Sequence, residues 1–173
     1  MLHYILMNKL IVLSGVPGSG KSYFSKTIKK MKNNHVYVVS SDELRALTTG
    51  SQANVNAEDL VWKMFYSLAK TYALDKEGIV ILDATHVSTD LRVDKNMELK
   101  PLFDEVDLVM WNADRQMVMN QNLQRDYPIP LEAMEMFFRI FELPTEKDKE
   151  FFDKIIMVKG NEIAQAIDEV LVK

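Results

Sequence analysis

Residues 15–22 read Gly-Val-Pro-Gly-Ser-Gly-Lys-Ser, and this octet restricts the fold more than any other segment of the chain. In Gly-x-x-x-x-Gly-Lys-Ser the backbone curls until successive amide N–H groups point inward, a path that most side chains obstruct. Such a loop needs a strand to enter it and a helix to leave it, because the helix adds its positive dipole end. Both are predicted here. Lys9 to Ser14 is a short β-branched apolar run ending at glycine, the pattern of a buried strand, and a helix is predicted from Lys21 to about Met31. In this P-loop, Gly15, Pro17, Gly18, Ser19 and Gly20 shape a cradle for the phosphates of ATP. Lys21 bridges the β- and γ-phosphates, and the Ser22 hydroxyl completes the coordination of Mg²⁺. The motif names the donor and not the acceptor, since kinases, GTPase switches and mechanical ATPases share it.

The remaining chain alternates strand with helix. Val36 to Val39 repeats the strand signal, and Ser40-Ser41-Asp42-Glu43 offers N-cap residues to the helix that follows. Thr48 to Asn54 is a polar loop suited to face a substrate, and a long helical pattern runs from Ala57 to about Lys76 before a stop at Gly78. Ile79 to Leu82 is a third strand, ending in Asp83. A helix is predicted from Val87 to Lys100, capped near Ser88 or Thr89 and stopped by Pro101. Val106 to Trp111, a helix from Asp114 to about Arg125, a second from Leu131 to Phe141, a strand near Lys154 to Val158 and a helix from about Asn161 to Leu171 complete the pattern. The fold class is therefore α/β, a P-loop NTPase of the adenylate-kinase-like type. It has a five-stranded parallel sheet, helices on both faces and a helical lid at about 114–144.

A chain of 173 residues, 47% hydrophobic, is expected to form a single domain over 1–173, with residues 1–6 an extension ahead of Met7. The absence of cysteine excludes a disulfide scaffold, a thiolate zinc site and a cysteine nucleophile. Apolar stretches are strand-length, so no membrane association is expected, and the start lacks the features of a secretory signal, which points to the cytoplasm. A net charge of −4 argues against coating nucleic acid by bulk electrostatics. Lys21, Lys26, Lys29, Lys30, Lys32 and His35 cluster in one segment, and at helical spacing most of them are expected on a solvated outer face rather than in a nucleic-acid patch. Met117, Met119, Met134 and Met136 read as core packing.

Ligands of open α/β sheets sit outside the carboxyl ends of the strands, which places Asp42 near the cradle. A carboxylate there can accept a proton from an attacking hydroxyl, and Arg45, one turn on, can fork onto an anionic group of the acceptor. An N-cap aspartate followed by a surface arginine has the same spacing, and spacing alone does not choose between the two. Asp83 ends its strand where a carboxylate commonly holds Mg²⁺. Arg125, before a proline-broken turn, can stabilise the transferring phosphoryl group from a lid, or can simply end a helix. His86 reads as structural.

Together these segments resemble the kinase module of the 5′-polynucleotide kinase family in its phage and bacterial end-healing branch. The resemblance covers about Lys9 to Pro144 and rests on the P-loop, on Ser41-Asp42-Glu43-Leu44-Arg45, on Asp83-Ala84-Thr85-His86-Val87 with Arg92 beyond, and on Asn122-Leu-Gln-Arg125 followed by Ile129-Pro130-Leu131 and Leu143-Pro144. It implies Asp42 as general base, Arg45 as clamp for the phosphate 3′ of the terminal nucleoside, Lys21 and Ser22 as phosphate and Mg²⁺ ligands, Asp83 in the metal shell, and Arg125 as the lid arginine on ATP. The implied substrate is the 5′-hydroxyl of a DNA or RNA end, with a separate ligase as a partner. His86 stands where the family often has asparagine, and Gln121 where some members have a basic residue. No Asp-x-Asp-x-Thr phosphatase signature and no lysine-centred ligase motif is present. A kinase of a small molecule, nucleoside or tRNA-linked acceptor, and an ATPase switch, are the alternative readings.

Overall fold

In the computed structural model, which describes residues 7–32, 34–159 and 162–171, Lys9–Ser14 forms β1 at the centre of a parallel sheet and is buried throughout. Val36–Ser40 (β2), Ile79–Asp83 (β3), Glu105–Trp111 (β4) and Lys154–Val158 (β5) complete the order β2-β3-β1-β4-β5. The helices are α1 (Lys21–Lys32), α2 (Ser41–Thr49), α3 (Glu58–Tyr72), α4 (Thr89–Arg92), α5 (Arg115–Leu123), α6 (Leu131–Ile140), α7 (Glu146–Phe151) and α8 (Ile163–Leu171). This is the five-stranded P-loop architecture expected above. The chain leaves β1 toward β2 and leaves β3 toward β4, so the connections diverge between the carboxyl ends of β1 and β3 and open a crevice there.

Strand alternation builds the two cores. Leu10 and Val12 meet Val61, Phe65 and Ala69 of α3 on one face, while Ile11 and Leu13 meet Phe24 and Ile28 of α1 and Ile167 of α8 on the other. A third cluster joins Val16 of the P-loop and Val87 to Val118 of α5 and Met134 of α6. The helical hairpin within 114–144 thus has a small core of its own, seated on the phosphate loop. Met117 and Met119 pack on it as expected, but Met136 is 41% exposed and lines a cleft. Among the described residues, no helix is long and apolar enough to cross a membrane.

Three boundaries differ from expectation. The helix predicted over Val87–Lys100 is only α4, capped by Ser88, followed by 3₁₀ turns at Asp94–Asn96 and Lys100–Leu102. Asn96 is fully buried and donates its amide to the carbonyls of Leu91 (3.3 Å) and Arg92 (2.8 Å), acceptors that a continuing helix would use. The helix after Ala57 stops at Tyr72, because Asp75 is drawn away by His35 (2.7 Å) and the Tyr37 hydroxyl (2.8 Å). No helix was expected at α7, yet Thr145 and Asp148 form a capping box there. Residues 1–6 and the predicted Gly160-Asn161 cap lie outside the described residues.

Candidate active site

The P-loop curls as its glycines require. Gly15 has φ 154° and Gly20 φ 107°, and a Cβ on Gly15 would stand 2.8 Å from Ser19 Oγ. Lys21 folds back under the loop, its ammonium donating to the carbonyls of Gly15 (2.8 Å) and Val16 (2.9 Å). Burial holds that ammonium down to about 8, against the opposing pull of Asp83 and Asp42, with Arg125 adding to the depression. Lys21 therefore carries most of its charge at neutral pH, within the electrostatic reach of Asp83, Asp42 and Arg125.

β2 and β3 end in register, Ser40 beside Asp83. Asp83 is 6% exposed and accepts the Ser25 hydroxyl at 3.1 Å. Burial raises its pKa, while Lys21 and the hydroxyls of Ser22 and Ser25 work the other way. The Ser22 and Asp83 oxygens are hard donors of the kind Mg²⁺ takes, and two protein ligands suit an ion that keeps waters and binds substrate phosphates. Among the described residues no cluster of three His, Cys, Asp or Glu could hold an ion alone.

The loop after β3 is fastened to the end of β1. Gly15 N–H donates to Thr85 O (2.8 Å), Ser14 Oγ–H to His86 O (2.8 Å), and His86 Nδ1–H to Leu13 O (2.8 Å). His86 does this at φ 38°, in the left-handed region. It is a structural strut, 3% exposed, with its pKa pushed by burial down to about 4. The folded value lies below the unfolded 6.5, so the unfolded chain binds more protons between pH 4 and 6.5. Stability is full above that window and is lost as pH falls through it, by about 3 kcal/mol from this group. His86→Asn, which suits φ > 0 and cannot be protonated, is expected to flatten urea-unfolding stability across pH 4–6.5; an unchanged slope would exclude His86 as its origin.

Arg92 is not in the cleft. It is fully buried and pairs with Asp148 through Nε (2.7 Å) and Nη2 (3.0 Å), joining α4 to α7. Its Nη1–H also donates to Glu142 O at 2.9 Å. Burial works against ionisation of Asp148, but Arg92, the Thr145 N–H and the Thr89 hydroxyl together hold its carboxyl down to about 2.

Ser40 caps α2, accepting Glu43 N–H at 3.3 Å, so Asp42 lies in the first turn and Arg45 one turn on. Arg45 donates from Nη1 to Asp42 Oδ1 (2.7 Å), and its Nε and Nη2 grip Glu58 at 2.6 and 3.2 Å. Glu58, at the start of α3, was missed by sequence reasoning. It looks like any acidic residue in a first turn, and no spacing rule links it to Arg45. On the far side, Arg125 Nη2 stands 3.6 Å from Asp42 Oδ2. Asp42 thus lies between two guanidinium groups. Arg125 is positioned by Asn122, whose side chain closes the following turn by accepting Ile129 N–H (3.0 Å) and donating to Ile129 O (2.8 Å).

These groups line one cleft of about 1170 Å³, running from Gly18, Lys21 and Ser22 past Asp83, Asp42 and Arg45 to Arg125. Gln121 lines it too, so no second basic side chain stands at that lid position. The sequence pattern of the AAA domain matches residues 10–144. The chain belongs to that family. Solved structures similar to this AAA-domain protein include a putative kinase from Chloroflexus aurantiacus (TM-score 0.72, 14% identity, 96% of this chain and 95% of that one). Kti12 from Chaetomium thermophilum in complex with ADP-AlF3 is similar at TM-score 0.70 and 18% identity, covering 93% and 96%. A fungal RNA kinase is similar at TM-score 0.62 and 15% identity, covering 95% and 84%. At such identities the likeness establishes the P-loop kinase-like fold of this AAA-domain chain.

Proposed function

We propose that the protein transfers the γ-phosphate of ATP to the 5′-hydroxyl of a DNA or RNA end. The observation that carries this reading is the bracketing of Asp42 by Arg45 and Arg125 in the cleft of the phosphate loop. A carboxylate so placed can take the proton of an attacking hydroxyl, while Arg125 faces the transferring group and Lys21 the β- and γ-phosphates. Ser22 and Asp83 would hold Mg²⁺, which neutralises phosphate charge when bound. Arg45 commits three of its five N–H donors to Glu58 and Asp42. One N–H on each terminal nitrogen is left for the phosphate 3′ of the acceptor nucleoside.

Trp62, Tyr127, Pro130 and Phe137 are among the residues that line the cleft, beside polar Ser51, Gln52 and Gln124, and they supply aromatic and apolar surface for an acceptor. Nucleobases stack on such faces. The test is label transfer from γ-labelled ATP to a panel of 5′-hydroxyl DNA, RNA, nucleosides and nucleoside 3′-monophosphates. Labelled oligonucleotides, and a 3′-monophosphate accepted far better than its nucleoside, are expected. No label on any oligonucleotide defeats the reading, and ATP hydrolysis indifferent to every hydroxyl acceptor would favour a switch instead.

A further inference from the structure

α1 holds five of the chain's 21 basic residues in twelve positions and no acidic one. Phe24, Ser25 and Ile28 turn inward, which leaves Lys26, Lys29 and Lys30 exposed along one side. Sequence periodicity alone makes this a solvated face. The structure adds a groove of about 410 Å³ beside it, bounded by the three lysines and by Tyr37 and Tyr72. Lys29 donates to Val36 O and lies 5.7 Å from the Tyr37 ring, which stacks on Tyr72 at 4.5 Å and 15°. Lys26 and Lys30, about 6 Å apart along the helix axis, form no ion pair among the described residues. The groove and the catalytic cleft are continuous, since Lys26, Glu43 and Asp83 line both.

We propose that this groove takes the sugar-phosphate backbone of a polynucleotide acceptor, beyond the terminal nucleotide that reacts at Asp42. The inference rests on the kinase reading above and deepens it. A lysine row flanked by aromatic rings is the combination that tracks a nucleic-acid strand without reading its sequence. An acidic peptide would satisfy the lysines but gives no reason for the groove to open at the site of phosphoryl transfer. Glu43 at the junction repels phosphate, so backbone contact starts at Lys26 and runs outward to Lys30. Chain length, and not the terminal nucleotide alone, then sets acceptor affinity.

The test compares the whole protein with its Lys29→Gln/Lys30→Gln variant, at two lysines that line the groove and not the cleft, using a nucleoside 3′-monophosphate and a short 5′-hydroxyl oligonucleotide as acceptors. The variant's KM for the oligonucleotide is expected to rise about tenfold, with kcat and the mononucleotide KM within about twofold. The slope of log KM against log salt should become shallower by about 1.4, the release expected for two single-strand phosphate contacts. An unchanged oligonucleotide KM, or equal shifts for both acceptors, overturns the groove. If the unaltered protein labels neither acceptor, the kinase reading fails instead. Binding of a fluorescent 5′-phosphorylated oligonucleotide then decides: salt-sensitive binding weakened in the variant upholds the groove, and equal binding defeats it.

Discussion

Asp42→Asn is expected to lower phosphoryl transfer about a thousandfold while changing ATP affinity by less than about threefold, within the range measured for loss of a positioned general base. The substitution keeps the size of the side chain and an oxygen for the 2.7 Å contact from Arg45. It removes only the ability to take a proton and the charge that Arg45 and Arg125 share. Single-turnover transfer and calorimetric ATP titration separate the two effects. Transfer at the normal rate would refute the base assignment. Loss of ATP binding would show that Asp42 acts by holding Arg125, with its Oδ2 3.6 Å from that guanidinium.

The second large effect lies outside the cleft. Arg92→Ala is expected to destabilise the protein by about 3–5 kcal/mol, the cost of removing one partner of a buried ion pair. Both side chains are fully buried, and the guanidinium also serves the carbonyls of His86, Glu142 and Leu143. Total stability of a domain this size is about 5–15 kcal/mol, so the variant stands near the edge of folding. Urea unfolding measures the loss. Replacing Arg92 and Asp148 together with apolar residues of similar volume should recover part of it, because no unpaired charge stays buried. A loss under about 1 kcal/mol for the single variant would mean that water replaces the guanidinium, contrary to the enclosure seen here.

These two residues show what the sequence made legible. The positions of the cradle at 15–22, of Asp42 in the turn after β2 and of Asp83 at the end of β3 were readable because local pattern predicts place at the carboxyl ends of strands. All five strands were located for the same reason, since their apolar runs are short and bounded by turn residues. Arg92 carries the same local signal as any helix arginine, and its partner lies 56 residues away. Glu58 is similarly silent, 13 residues from the arginine it grips. Asn96, which stops a predicted helix, does so through buried hydrogen bonds that periodicity does not encode. α7, by contrast, carries a local signal at its start, the Thr145-x-x-Asp148 capping box.

Val16 belongs to two assemblies at once. Its carbonyl accepts the Lys21 ammonium inside the phosphate loop, and its side chain, 4% exposed, sits in the lid core with Val118 and Met134. The hairpin and the phosphate loop therefore share one buried side chain. Trimming Val16 to alanine removes two methyl groups from that shared core and is expected to cost about 1.5 kcal/mol without touching a polar group in the cleft.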